Sequence, residues 1–155
     1  MRRELADGFE LDDDPRRLDV DAVHAYISGE SYWGRGRPRE LTEAAIAGSR
    51  RVLGLYHEGR LVGFARAVSD AATMAYLADV YVLAAYRGRG LGMALVREMV
   101  EGEPLAEVRW LLHTADAQGL YGRLGFSEHA PRYPLMERER RHTQQSRSAP
   151  RGRRG

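Results

Sequence analysis

Tyr81-Val82-Leu83-Ala84-Ala85-Tyr86-Arg87-Gly88-Arg89-Gly90-Leu91-Gly92 decides the fold of this chain. An apolar run from Met74 to Leu83 ends in a glycine-rich turn. Leu91, Leu95 and Met99 then repeat at four-residue spacing, which predicts a helix from about Gly90 to Val100 with one buried stripe. Gly102 and Pro104 end it. The run before the turn predicts a strand covered on both faces. A glycine-rich junction of this kind attracts anions. The first N–H groups of a helix have no internal partner, and the helix dipole adds partial positive charge there. Glycines allow a ligand to approach the backbone closely. A phosphate or pyrophosphate suits such a place, and Arg87 and Arg89 add charge beside it.

Outward from this junction the chain reads as alternating elements. Phe9–Leu11 predicts a short strand, Val20–Ile27 a helix capped by Asp19 and stopped at Ser28-Gly29, and Arg39–Ala47 a second helix ended by Gly48. Between these helices lies a loop rich in Gly, Arg and aromatic residues, Ser31-Tyr32-Trp33-Gly34-Arg35-Gly36-Arg37-Pro38. Arg51–His57 and Leu61–Val68 predict two strands joined by a hairpin turn at Glu58-Gly59. Val108–His113 predicts a further strand, and Ala117–Leu124 a short helix stopped by Gly125. A last strand region is expected from Phe126, completed by Tyr133–Met136. Helices, a three-strand meander, then helix, strand, helix and strand indicate a mixed α/β fold. Its core is a central twisted mixed sheet with helices on both faces.

Composition narrows the chemistry. The 155 residues suit one domain. There is no cysteine, which excludes disulfides, thiolate metal sites and a cysteine nucleophile. All 24 basic residues are arginine, so Schiff-base catalysis on a lysine is excluded as well. From Arg138 to Gly155 seven Arg stand against one Glu, a net +6, which leaves −4 for the rest of a chain whose total is +2. The basic character is therefore a property of the tail. The expected division is a domain over 1–137 and an Arg-rich, disordered tail over 138–155. The start, Met1–Asp14, is acidic and lacks the apolar segment of a secretory leader. No run approaches the roughly 20 apolar residues of a membrane span. A cytoplasmic location is the expectation, without membrane association. Nucleic acid is expected to bind only nonspecifically, through the tail.

Three phosphate motifs compete for the junction. A Walker loop ends in Gly-Lys-Ser/Thr, and Gly92-Met93-Ala94 stands here instead. A dinucleotide fingerprint needs Gly-x-Gly-x-x-Gly, and the place for its third glycine is Met93. The pattern Arg/Gln-x-x-Gly-x-Gly/Ala is met by Arg87, Gly90 and Gly92. In this respect the chain resembles the GNAT superfamily of N-acetyltransferases. A second motif strengthens the resemblance. Thr114-Ala115-Asp116-Ala117-Gln118-Gly119-Leu120-Tyr121-Gly122-Arg123-Leu124-Gly125-Phe126 is similar to the family's Asn-x-x-Ala-x-x-x-Tyr-x-x-x-Gly-Phe. Ala117, Tyr121, Gly125 and Phe126 match, while Thr114 replaces the usual Asn. The run Ser31-Tyr32-Trp33, with Gly63-Phe64-Ala65-Arg66 and Tyr76-Leu77-Ala78-Asp79-Val80, resembles a group of small bacterial members.

The resemblance implies a GNAT-type fold and transfer of an acetyl group from acetyl-coenzyme A to an amine acceptor, with no metal. It also implies a homodimer as the assembly to expect. The backbone of Arg87, Gly88, Arg89, Gly90, Leu91 and Gly92 would hold the coenzyme A pyrophosphate. The strand Tyr81, Val82 and Leu83 would bond the pantetheine arm, with a strand N–H near Val82 polarising the acetyl carbonyl. Thr114 would stand where the family's Asn contacts that arm. Tyr121 would assist departure of the thiolate, since a phenol near the sulfur can donate a hydrogen bond or a proton. The acceptor would enter beside Ser31, Tyr32 and Trp33, near Arg35, Arg37 and Arg39. Those two rings form either an aromatic wall for a cationic amine or a cover over the core. Asp79, a carboxylate in an apolar strand, needs a partner or a task. It would orient the amine, serve as base through a water, or pair with Arg66 of the neighbouring strand. His24, His57 and His113 show no metal-ligand spacing and read as packing or surface residues. The competing function is a non-catalytic acyl-coenzyme A-binding or polyanion-associated protein that uses the basic tail.

Overall fold

Five strands follow one another as an antiparallel meander, and a sixth joins them in parallel. The computed structural model describes residues 1–130 and 132–140. In chain order the strands are β1 (Arg2–Glu4), β2 (Phe9–Asp12), β3 (Arg51–His57), β4 (Arg60–Ser69), β5 (Met74–Val82) and β6 (Arg109–Leu111). They lie side by side in that same order, antiparallel from β1 to β5 and parallel from β5 to β6. The helices are α1 (Val20–Gly29), α2 (Arg39–Ala47), α3 (Leu91–Glu101) and α4 (Gln118–Gly122).

Each face of the sheet carries its own apolar layer. Leu91, Leu95, Val96, Met99 and Val100 of α3 pack on Leu53, Leu55, Ala65, Ala67, Ala75 and Leu77. Val23, Tyr26 and Ile27 of α1 pack on Val52, Phe64 and Tyr81 of the opposite face. The alternation along β3 and β4 separates these two sets, because successive side chains of a strand point to opposite faces. The expected mixed sheet with helices on both faces is what forms. Asp19 caps α1 by accepting from the Ala22 N–H at 2.9 Å. The β3–β4 hairpin turns on Glu58 and Gly59, both with positive φ (50° and 77°), as a tight two-residue hairpin turn requires. Among the described residues no helix is long and apolar enough to cross a membrane.

Several sequence expectations change. The meander has an additional strand, β1, whose residues Arg2, Arg3 and Glu4 are all exposed and carry no apolar alternation. The helix α1 continues through Ser28 and Gly29 rather than stopping there. Among the described residues no strand follows β6, so neither 126–130 nor Tyr133–Met136 is strand. Phe126 instead turns back onto Tyr121, with ring centroids 5.7 Å apart. Tyr133, Leu135 and Met136 are 73%, 75% and 90% exposed, and the apolar pattern that suggested a strand finds no sheet edge to bury it. The strand β5 is also not covered on both faces: Tyr76, Ala78 and Val80 are only half-buried. Most of the tail expected over 138–155 lies outside the described residues.

Candidate active site

The site is built where β5 loses its neighbour. Pairing with β6 runs Met74↔Arg109, Ala75↔Trp110 and Tyr76↔Leu111, and then stops. The strand β5 goes on to Val82, so its β6-facing edge from Leu77 to Val82 has no strand partner. Apart from the Val82 carbonyl, which accepts from Arg87, backbone N–H and C=O groups on such an edge are free of strand partners and open to a ligand. A bulge lies in the same stretch. Phe64 pairs with Tyr81 and Arg66 with Ala78, so Ala65 alone faces both Asp79 and Val80. Asp79 takes a φ of 54°, a left-handed conformation that Asp tolerates better than most residues.

The glycine turn stands at the far end of this free edge. Gly88 and Gly90 have φ of 77° and 74°, with open space where a Cβ would point, so the conformation itself calls for glycine there. Gly90 precedes α3 and supplies no side-chain cap. The Ala94 N–H is the first to bond back, to the Gly90 carbonyl at 3.0 Å. The N–H groups of Leu91, Gly92 and Met93 therefore open the helix without intrahelical partners. Leu91 is buried in the core, so only its backbone is available. Gly88 and Arg89 are exposed. Arg87 is exposed as well, but its guanidinium is anchored: its Nε donates to the Val82 carbonyl at 2.9 Å and its Nη2 to the Tyr26 hydroxyl at 2.9 Å. Its guanidinium thus braces the turn against the strand and α1. Tyr81 stacks on Tyr26 with centroids 3.9 Å apart and is buried, which leaves only its backbone to meet a ligand.

Helix α4 brings Tyr121 to the opening. A Cβ on Gly92 would lie 3.5 Å from Leu120 Cδ1 and 4.0 Å from Val82 Cγ2, so the first turns of α3 and α4 meet over the end of β5. Thr114 shapes the approach to α4: its Oγ1 accepts from the Ala117 N–H at 3.1 Å and the Asp116 N–H at 3.4 Å. The hydroxyl in place of Asn is thus engaged in a turn. Tyr121 is buried, and burial first, with smaller contributions from Tyr32 and Asp116, pushes its phenol up to about 12. It is a neutral donor throughout the physiological range.

The cleft that opens between β5 and the chain after β6 has a volume of about 560 Å³, with Tyr121 and Thr114 on one wall and Tyr76, Asp79 and Trp33 on the other. Tyr32 spans its mouth, accepting from the Ala115 N–H at 3.0 Å. Tyr32 and Trp33 are 54% and 39% exposed and meet edge to face at 5.0 Å. They are a wall of the cleft and not a cover over the core. A second groove, of about 690 Å³, runs between the end of α3, β6 and residues 124–129. Tyr121, His113 and Thr114 line both.

Asp79 is paired. Trp33 Nε1 donates to its Oδ1 at 2.9 Å, Arg37 bonds both oxygens at 2.8 and 3.0 Å, and Arg66 Nε donates to Oδ2 at 2.6 Å. Burial alone would raise its pKa, but the hydrogen bonds and charges of Arg37 and Arg66 outweigh that and hold it below the usual carboxylate value. Of the three tasks open to Asp79, pairing with Arg66 is the one the geometry displays. A carboxylate saturated by three donors is a poor base and has no free lone pair aimed at an amine. Arg37, expected only beside the acceptor entrance, is the further partner. No spacing signal links Arg37 to Asp79, because the loop reaches the bulge only in the folded chain. Among the described residues no group of three or more His, Asp or Glu is placed to hold a metal ion.

With this geometry established, relatives are informative. A profile for the acetyltransferase (GNAT) domain matches residues 48–128. A solved structure of a GNAT-family protein from Xanthomonas campestris is similar at 40% identity and a TM-score of 0.79, over 84% of this chain and 92% of that one. A Gibberella zeae protein that carries an acetyltransferase name is 30% identical over 139 residues, 75% of this chain and 77% of that protein. The Glycine max protein TAP2, also named as an acetyltransferase, is 32% identical over 121 residues, 70% of this chain but 48% of its own length.

Proposed function

This chain belongs to the GNAT acetyltransferase family and is an acyltransferase, and on that premise we propose that it moves an acetyl group from acetyl-coenzyme A to a primary amine by direct attack in a ternary complex. The observation that carries the reading is the fork after Tyr76↔Leu111. It leaves the Leu77–Val82 edge free between the opening of α3 and Tyr121.

The residues present fit the cosubstrate. The uncapped N–H groups of Leu91, Gly92 and Met93, with the glycine turn before them, suit a pyrophosphate. The free edge beside Val82 suits an amide-bearing arm that adds to the sheet as a strand would. Acetyl-coenzyme A supplies the activated carbonyl and a thiolate leaving group. The N–H groups of that edge polarise the carbonyl oxygen. Tyr121 donates a hydrogen bond where negative charge gathers on sulfur. Burial holds the Tyr121 phenol up at about 12, so it meets the departing sulfur as a protonated hydrogen-bond donor. Tyr32 and Trp33 bound the acceptor side of the cleft.

The test is thiol release from acetyl-coenzyme A in the presence of small amines, amino acids, aminoglycosides and peptide N-termini. Turnover with at least one acceptor, sharply reduced in Tyr121→Phe, is expected. Tight binding of acetyl-coenzyme A without turnover across the panel would favour a non-catalytic binder.

A further inference from the structure

A primary amine arrives mostly as an ammonium ion and must lose a proton to attack. Asp79 is saturated, and Tyr121 is committed to the leaving group. The cleft contains one other pair of titratable side chains in contact. The Tyr76 hydroxyl lies 2.6 Å from His113 Nδ1, with the rings 5.7 Å apart and tilted by 43°. Tyr76 is the last residue of β5 to pair with β6, and His113 follows two residues after its partner Leu111. The pair therefore stands at the vertex of the fork, where the unpaired edge of β5 begins. Both residues line the same cleft as Tyr121, Tyr32 and Trp33.

We propose that Tyr76 and His113 form a proton relay that deprotonates the acceptor amine, a role that rests on the acetyl-transfer reading. The amine proton passes to the Tyr76 oxygen as the Tyr76 proton passes to His113 Nδ1. The freed nitrogen lone pair forms the bond to the acetyl carbon, the electrons of the broken C–S bond leave on the coenzyme A sulfur as thiolate, and the second proton that the new amide nitrogen sheds passes to solvent. His113 ends protonated and returns its proton to solvent, to which it is exposed. This needs the tautomer with hydrogen on Nε2 and a free lone pair on Nδ1. Imidazole suits the task because its ordinary pKa lies near neutrality.

Charged and titratable groups face the pair from several elements. Arg66 of β4, Arg37 of the α1–α2 loop, Asp79 of the β5 bulge and Asp116 on the turn before α4 line the same cleft, and the phenols of Tyr32 and Tyr121 complete its wall. In the outer groove, Arg109 of β6, which lies 3.3 Å from His129, and Glu101 and Glu128 complete the set. The relay needs an unprotonated Nδ1, so activity carried by it is lost in acid, where an imidazolium cannot accept the amine proton.

The test compares kcat/KM for the best acceptor of the panel, as a function of pH, in the native protein, Tyr76→Phe and His113→Asn. The asparagine can keep the hydrogen bond but cannot titrate. Both variants are expected to lose about 100-fold near neutral pH. The loss should shrink toward none as pH approaches the pKa of the amine, where free amine is supplied by solvent. An equal loss at every pH would mark a structural role and overturn the relay. Turnover sharply reduced by Tyr121→Phe but unchanged in both relay variants would overturn it while leaving acetyl transfer intact. Absence of turnover in the native protein with any amine would remove the acetyl-transfer reading and the relay together. Nitrogen-15 NMR of the imidazole supplies a readout independent of turnover. The native protein should hold the Nε2–H tautomer, and Tyr76→Phe should relax that preference. Hydrogen on Nδ1 in the native protein would overturn the proposed direction of transfer.

Discussion

Arg87 Nε donates to the Val82 carbonyl at 2.9 Å, so the strand that enters the glycine turn is tied to the first residue of the motif that leaves it. The same guanidinium reaches the Tyr26 hydroxyl on α1 at 2.9 Å. One side chain thus joins strand, turn and helix. Replacing it should loosen the cradle as well as remove a charge. Arg87→Ala is expected to cost about 1 kcal/mol of stability and to weaken acetyl-coenzyme A binding at least tenfold. Tyr26→Phe, which removes one of the two bonds, should have the smaller effect on both. Thermal unfolding and calorimetric titration would measure them. Equal affinity in Arg87→Ala and the native protein would refute the bracing role.

The glycines of the turn should respond differently to the same substitution. Gly90→Ala places a Cβ on a residue with φ of 74° and should destabilise the protein by about 1 kcal/mol and impair cofactor binding. Gly92 sits inside α3 with no such φ, and its new methyl would make an ordinary 3.5 Å contact with Leu120. Gly92→Ala should leave stability unchanged or raise it by up to about 1 kcal/mol. Denaturant unfolding of the two variants side by side is the check.

Asp79 compensates two half-buried guanidinium groups, and Asp79→Asn would leave both uncompensated. A loss of about 3 kcal/mol is expected, with Asn still able to adopt the positive φ. The pH sign follows from the lowered pKa. A carboxylate with a depressed folded pKa contributes stability that is complete above its ordinary value of 3.8 and is lost as pH falls through the folded value. Acid unfolding of the native protein should show this loss below about pH 4, and Asp79→Asn should lack that component.

Tyr121→Phe should lower kcat about 10- to 100-fold while leaving acetyl-coenzyme A affinity nearly unchanged, since the hydroxyl acts where charge develops. With the phenol held near 12 by burial, this contribution should stay constant with pH until the phenol ionises. A kcat that falls already near pH 8 in the native protein but not in the variant would contradict the assignment.

Much of the architecture could be read along the chain. The four-residue spacing of Leu91, Leu95 and Met99 defines α3, and Glu58-Gly59 defines a hairpin. The spacing of Arg87, Gly90 and Gly92, with Tyr121, Gly125 and Phe126 farther on, indicates the family to which the chain proves to belong. These features are local, because each depends on backbone conformation or helical periodicity over a few residues. Elements lacking that local signature were misread. The strand β1 is an exposed edge of Arg and Glu held by pairing with β2, and Tyr133–Met136 has strand-like apolar residues without an edge to join.

Local sequence specifies the glycine turn that opens α3, the tyrosine placed after it and the lack of any thiol or lysine side chain. How the cleft is furnished depends on tertiary contacts alone. They close Arg37, Arg66 and Trp33 around Asp79, anchor the Arg87 guanidinium on the Val82 carbonyl, and bring Tyr76 to His113 across 37 positions of chain. The reason is physical. A backbone motif is specified by the conformational needs of neighbouring residues, whereas a side-chain pair forms only where sheet register and loop closure bring distant residues within hydrogen-bond reach. The fork that opens after Tyr76 is such a consequence of register, and the site lies within it.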